Sequence, residues 1–430
     1  MNKQVFSRIN EVLYHEELKN GLNIFLLPKK GFHKTYVTFS TKLGSVMTKI
    51  KDVDGSSVDL PMGIAHFLEH KLFEQNGEDV SKYFSQNQAN VNAFTQNNRT
   101  TYLFSCTDKL KENIELLINL VQNPHFTDEG IQKEKGIISA EIKMYEDDPN
   151  TVAYMSLIRN MFNTHPIRYD ILGTIDTISK IDKQILEKTH KTFYNPKNMV
   201  LFITGNFELN EILDFIRENQ KDVEFKCTSS PLEDIDIEDM NVVKQKEEVN
   251  LEVNVPNFLL GVKQGPTNSS LENIIKKELC FSILLDLVIG KSTNNYKDLL
   301  SKELINDSFG LDITLEKTYG FFLIGSETYK PKELETKLKE ILLNLDKKVF
   351  KEEDFLRIKK QIVGGFIHAL NSIEYIANQF TKYYYLGASL FDILEIADNI
   401  TLEDIENTKL AFNNESAYST FTVYPKKNDE

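Results

Sequence analysis

His66-Phe67-Leu68-Glu69-His70 is the stretch that decides how this chain is read. On a helix, residues four apart leave the same face about one turn from each other, so His66 and His70 stand side by side. Two ring nitrogens held that way can reach one metal ion at roughly 2.0–2.1 Å, the bond length of zinc to histidine. Glu69 projects beside them, within reach of a water that such an ion would hold. A lone histidine on an apolar helix is ordinarily a core residue bonded to backbone. Three ligand-type residues in one helical register call for another explanation.

A hydrolytic zinc site takes three protein ligands and leaves a fourth position for water. Downstream, Glu134-Lys135-Gly136-Ile137-Ile138-Ser139-Ala140-Glu141 lies in a segment with helical apolar spacing (Ile131, Ile137, Ile138, Ile142). Glu134 and Glu141 are two turns apart and share a face. That face runs close to the apolar stripe, where an unpaired carboxylate is costly. A metal cation accounts for both acids.

The five-residue motif is the inverted zinc signature H-x-x-E-H. Gly63-Ile64-Ala65 leads into it and Leu72-Phe73 follows. Further on stand Asn92-Ala93-Phe94-Thr95, Phe193-Tyr194-Asn195-Pro196 and Asn198-Met199. On these residues the chain resembles the pitrilysin–insulinase family of zinc metallopeptidases, which includes mitochondrial processing peptidase. The resemblance implies one zinc ion per chain, held by His66, His70 and Glu141. It implies Glu69 as general base and Glu134 as a second acid serving catalysis from close by. Asn92, Ala93 and Phe94 then lie on the strand that pairs with a peptide substrate, and Tyr319 helps to hold it. The implied activity is a zinc metalloendopeptidase that cleaves short or unfolded peptides through a metal-activated water. No covalent intermediate is needed, so the lack of a cysteine or serine nucleophile motif is no objection.

One departure bears on mechanism. In several relatives the second half contributes an arginine as well as a tyrosine, and such electrostatic help is worth about 2–4 kcal/mol. Here the matching stretch, residues 309–327, contains Tyr319 but no arginine, and the second half's one arginine, Arg357, falls on a helix elsewhere. Either Lys317 stands in or a partner subunit supplies the charge. The resemblance therefore implies a homodimer or heterodimer with a homologous subunit. The competing reading is a non-catalytic or partner-dependent subunit of a heterodimeric peptidase, acting in assembly or peptide binding.

At 430 residues, with 41% apolar and 27% charged side chains, the chain has the composition of a globular protein of two or three domains. Its net charge of −14 argues against nucleic acid, which wants basic patches. No apolar run approaches the ~20 residues of a membrane-spanning helix. The first eleven residues lack the apolar core of a signal peptide. Cys106, Cys227 and Cys280 are too scattered for a disulfide framework and read as reduced thiols. A cytoplasmic protein with no membrane partner is expected.

Strand-like runs at 21–27, 35–40, 100–105 and 199–204 are interspersed with helical stretches at 108–122 and 127–146. They predict an α+β fold, a mostly antiparallel sheet with helices on one face. Residues 226–248 read as a linker, between a zinc-bearing domain at 1–225 and a second domain at 249–430. The second is a diverged copy of the first. Residues 181–187 followed by Phe193 parallel 400–406 followed by Phe412, and Phe126-Thr127-Asp128-Glu129 parallels Phe350-Lys351-Glu352-Glu353. In that register Glu134 and Glu141 fall on Ile358 and Gly365, and no histidine occurs between His190 and His368. The copy cannot build the metal site. Gly290-Lys291-Ser292-Thr293 resembles the end of a phosphate-binding loop, but Leu285 stands where that loop's first glycine belongs. It reads instead as a turn before a helix, and His125 as a loop histidine.

Overall fold

The computed structural model describes residues 1–430 except 76, 224, 226–228, 236, 266–270 and 427–430, and except the side chains of 271–273. Cys227 thus lies outside the described residues. The chain forms two compact units, neither a single run of sequence. One comprises Met1–Lys143, Tyr169–Asp234 and Ala369–Tyr385; the other comprises Met144–Arg168, Ile235–His368 and Leu386–Glu430.

The first unit holds a seven-stranded sheet in the order Asn2–Phe6, Glu11–Glu17, Asn23–Pro28, Met199–Gly205, Thr35–Thr41, Thr100–Cys106, Asn90–Thr95. Only Asn23–Pro28 and Met199–Gly205 run parallel; every other pair is antiparallel. The second unit holds a five-stranded sheet ordered Lys246–Leu251, Tyr418–Pro425, Asn257–Gln264, Gly320–Glu327, Gly310–Leu315. Its first pair is again the parallel one. Strand for strand, these five repeat the last five of the first sheet. The helices repeat as well. Asp128–Glu146 corresponds to Glu352–Ala369, and the helix capped by Asp182 corresponds to the one capped by Thr401. The expected α+β duplication holds at the level of topology.

The period-2 alternation of a strand explains why one segment in each unit comes from the other half of the sequence. Ile24, Leu26, Leu201 and Ile203 point into the core shared with the motif helix and its neighbours. Their neighbours Phe25 and Phe202 point to the opposite face, which also needs cover. Helix Ile373–Leu386 supplies it: the Phe380 ring lies 4.7 Å from that of Phe25 and 4.6 Å from that of Phe202. The Tyr385 hydroxyl donates to Ser40 O at 2.7 Å. In the second unit, helix Pro149–Met161 lies so close to the sheet that a Cβ on Gly261 would meet Met161 Sδ at 2.6 Å.

Within 226–248, Ser229–Pro231 pairs with Ile50–Asp52, and strand Lys246–Leu251 already begins at 246. Gly290-Lys291-Ser292-Thr293 forms the turn before helix Asn294–Ser301, with the Thr293 hydroxyl accepting from Tyr296 N. Exposed His125 sits in the connection before helix Asp128–Glu146. No helix among the described residues is long and apolar enough to cross a membrane.

Candidate metal centre

The motif helix, Ile64–Leu72, starts where the chain can turn sharply. Gly63 has φ 90°, and a Cβ there would lie 2.3 Å from Leu172 O, so both backbone and space demand glycine. Ile64, Ala65, Phe67, Leu68 and Leu72 are buried in the core of the first unit. That anchoring turns the other face, with His66, Glu69 and His70, away from the core. His70 and Lys71 fall in the last turn, where the helix dipole favours positive charge.

Helix Asp128–Glu146 brings the acids. Asp128 and Glu129 complement the dipole at its start, and Thr127 Oγ1 accepts from Gly130 N at 3.1 Å. Ile131, Ile138 and Ile142 are buried. The same register puts Glu134 and Glu141 against the motif helix. Gly130 leaves room for a side chain of the motif helix: a Cβ there would lie 2.3 Å from Lys71 Nζ. Lys71 is itself fully buried, with Glu74 Oε2 as its ion-pair partner at 2.8 Å.

One oxygen is the focus of the cluster. Glu141 Oε2 lies 3.9 Å from His66 Nε2 and 3.7 Å from His70 Nε2. One ligand atom from each of the three residues fits within 4.8 Å of the other two. Donors at 2.0–2.2 Å from a tetrahedral zinc lie roughly 3.3–3.6 Å apart, so a small inward adjustment closes this set on one ion. His70 Nδ1 is taken by Glu134 Oε1 at 2.9 Å, which leaves its Nε2 for a metal. His66 Nδ1 is buried with no hydrogen-bond partner among the described residues. Two imidazoles and a carboxylate fit zinc. Among the described residues this is the one such group of three, and it lies in the first half only.

Electrostatics agree with the geometry. Burial, aided by His70, pulls the His66 pKa down to about 3, so its imidazole is neutral and able to ligate. For His70, burial also pulls down, but the hydrogen bond it donates to Glu134 and the charges of Glu134, Glu141 and Glu69 outweigh it and raise the pKa. Burial raises the pKa of Glu69, against the hydrogen bond from Thr95. The Thr95 hydroxyl donates to Glu69 Oε2 at 2.6 Å.

Beside the cluster a cavity of about 400 Å³ is lined by Glu69, His70, Phe73, Glu74, Asn92, Ala93, Lys133 and Glu134, among others. Asn92 and Ala93 belong to Asn90–Thr95, the last strand of its sheet, paired on one side only among the described residues. Half-buried Phe94 faces the Arg99 guanidinium at 5.7 Å. The structure thus brings together His66, Glu69, His70, Glu134, Glu141, Asn92 and Ala93. Tyr319 belongs to the second unit, 3% exposed, with its ring 4.8 Å from His165 and 6.3 Å from Phe162. Two contacts had no signal in the sequence pattern: the Thr95 bond to Glu69, and the seat of Lys71 against Gly130.

Known proteins are similar to this chain. The family model described as Insulinase (Peptidase family M16) matches residues 54–175, and the one described as Peptidase M16 inactive domain matches residues 180–362. The protein named uncharacterized zinc protease YmfH, of Bacillus subtilis (strain 168), is 42% identical over 405 residues, 94% of each chain. Among solved structures, an M16-like peptidase from Alicyclobacillus acidocaldarius matches with a TM-score of 0.93 at 32% identity, covering 97% of this chain and 99% of that one. A protease from Helicobacter pylori shares the fold at 19% identity, with a TM-score of 0.81 over 96% of this chain and 99% of that one. Fold and cluster together define a two-unit peptidase architecture of the inverted H-x-x-E-H kind. The chain belongs to the M16 family, the pitrilysin–insulinase peptidases.

Proposed function

We propose that this protein is a zinc-dependent endopeptidase acting on short or unfolded peptides, with His66, His70 and Glu141 as ligands and Glu69 as general base. The observation that carries the reading is the convergence of two histidine Nε2 atoms on Glu141 Oε2, with Glu69 beside them at the mouth of a cavity bordered by a free strand edge. Zinc held there would polarise a peptide carbonyl and acidify a water. Glu69 would take the proton from a water held there as that water's oxygen bonds to the carbonyl carbon, then hand it to the amine nitrogen as the C–N bond breaks. A carboxyl with a raised pKa suits both acts. Glu134 holds His70 by Nδ1–H, fixing tautomer and ring orientation.

Substrate adds as a strand along Asn92, Ala93 and Phe94. Backbone hydrogen bonds then give affinity with little sequence preference, and the method of binding requires an extended, unfolded chain. Buried, unpaired Cys106 and Cys280 support a reducing, cytoplasmic setting.

A second reading, a subunit that cleaves only with a homologous partner, is favoured by one observation. Arg357, the only arginine after Arg217, is engaged by Asp354 at 3.3 Å and Ser292 at 3.4 Å. The test of the main reading is removal of metal. Chelation should abolish cleavage of an unstructured peptide and zinc should restore it. Cleavage that survives full chelation would refute the reading, and activity appearing only on adding a homologous chain would favour the second.

A further inference from the structure

The residue that ends the free strand edge is the one that grips Glu69. Gln96 N–H bonds inward to Arg99 O at 2.8 Å. Along an antiparallel strand, successive residues turn their backbone groups to opposite edges. The N–H groups of Thr95, Ala93 and Val91 therefore face the unpaired side. Ala93 agrees: its N–H donates to the neighbouring Asn92 Oδ1 at 2.9 Å, a bond an arriving strand can replace. The Thr95 N–H faces the same side, and the hydroxyl of the same residue bonds the carboxyl of Glu69.

The bond to Glu69 is made by the Thr95 side chain. Thr95 Oγ1 lies 2.6 Å from Glu69 Oε2 and 3.3 Å from Thr100 Oγ1. Thr100 spends its own proton on Leu43 O at 2.8 Å, so the Thr95 proton is left for Glu69. The hydroxyl of Thr95 thus holds a carboxyl that otherwise swings on three rotatable bonds.

We propose that Thr95 is a positioning residue for the general base: its hydroxyl tethers Glu69 to the end of the strand edge. An incoming chain finds Val91 and Ala93 N–H open and meets the tethered base at the end of that edge. This rests on the peptidase reading above, so the experiment has one arm that needs no catalysis.

In the kinetic arm, Thr95→Val keeps the β-branched shape and the N–H but loses the hydroxyl. Losing a hydrogen bond to a charged group lowers kcat by about ten- to a hundredfold, with KM little changed and zinc content unaltered. Thr95→Ser should recover most of kcat. In the second arm, the metal-free wild type and Thr95→Val are crystallised: the Glu69 carboxyl should lie beside Thr95 in the first and swing away in the second. Wild-type kcat in zinc-loaded Thr95→Val, or a Glu69 carboxyl that stays in place without the hydroxyl, would overturn the proposal. A carboxyl that swings away in a protein whose wild type cleaves nothing would uphold the tether and sink the peptidase reading.

Discussion

His70 Nδ1 lies 2.9 Å from Glu134 Oε1, and this contact decides which nitrogen of the ring is left for metal. Glu134 is 6% exposed, deep enough that its carboxylate has little water to turn to. The pair therefore acts as one unit. The histidine satisfies the buried acid, and the acid fixes the histidine's tautomer and enriches its outer nitrogen.

Glu134→Gln keeps the size of the side chain but removes its charge. Loss of such an outer partner costs metal affinity by about 10–100-fold. Competition with a zinc-binding dye should show that weakening, while the thermal transition of the metal-free chain changes little. Unaltered zinc affinity would mean that His70 is oriented by something else.

Two glycines of the same helix should respond to alanine with opposite sign. A Cβ at Gly130 would sit 2.3 Å from Lys71 Nζ, 2.8 Å from Glu74 Oε1 and 2.9 Å from Thr127 Oγ1. Lys71 is fully buried and ion-paired with Glu74. Overpacking of about 1–3 kcal/mol outweighs the helix-propensity gain, so Gly130→Ala should lower stability and push apart the helices that carry the ligands. At Gly136 nothing lies within 4 Å of the added carbon. There alanine should stabilise by about 0.5–1 kcal/mol. Denaturant unfolding of both variants checks the contrast, and two shifts of the same sign would contradict it.

Acid should undo an internal clamp in the second unit. Glu238 accepts from Thr164 N and His165 N at 2.5 Å each, from Asn163 N at 3.0 Å, and from buried Lys263 Nζ at 2.7 Å. Burial pushes its pKa up, but Lys263 and these backbone donors prevail and hold it at about 2. A depressed carboxyl contributes stability that is present above its unfolded pKa near 4.5 and is lost as pH falls towards 2. Glu238→Gln leaves Lys263 buried and unpaired, a change that costs about 3–5 kcal/mol in full burial. The value here should fall at the low end, because Lys263 keeps Asn241 O at 3.4 Å and the Phe162 ring at 4.7 Å. The gap in melting temperature between wild type and Glu238→Gln should be wide at pH 7 and narrow at pH 2–3. A gap that does not change with pH would refute this assignment.

Much of this arrangement was legible in the residues because it is local. Four-residue and seven-residue spacings put His66 with His70 and Glu134 with Glu141 by helix geometry alone, and the strand run at 199–204 appears as Met199–Gly205. The internal copy was legible because its cap and phenylalanine spacings survive at 182 and 401. What the pattern could not give is which distant segment covers a face. Phe25 and Phe202 announce a second buried side to their sheet, but nothing in their spacing names Phe380 as the cover. Lys71 was equally opaque, since burying a lysine depends on a glycine fifty-nine residues away leaving room for it. Thr95 looked like part of a substrate strand, and its bond to Glu69 depends on how the motif helix crosses that strand.

The most direct test of the central claim is zinc content measured together with hydrolysis of a quenched-fluorescent peptide, for wild type and Glu69→Gln. The substitution leaves His66, His70 and Glu141 in place and removes only the base. One zinc per chain is expected in both proteins, with cleavage by the wild type alone. Equal cleavage by both, or a wild-type chain that takes up no zinc, would contradict it.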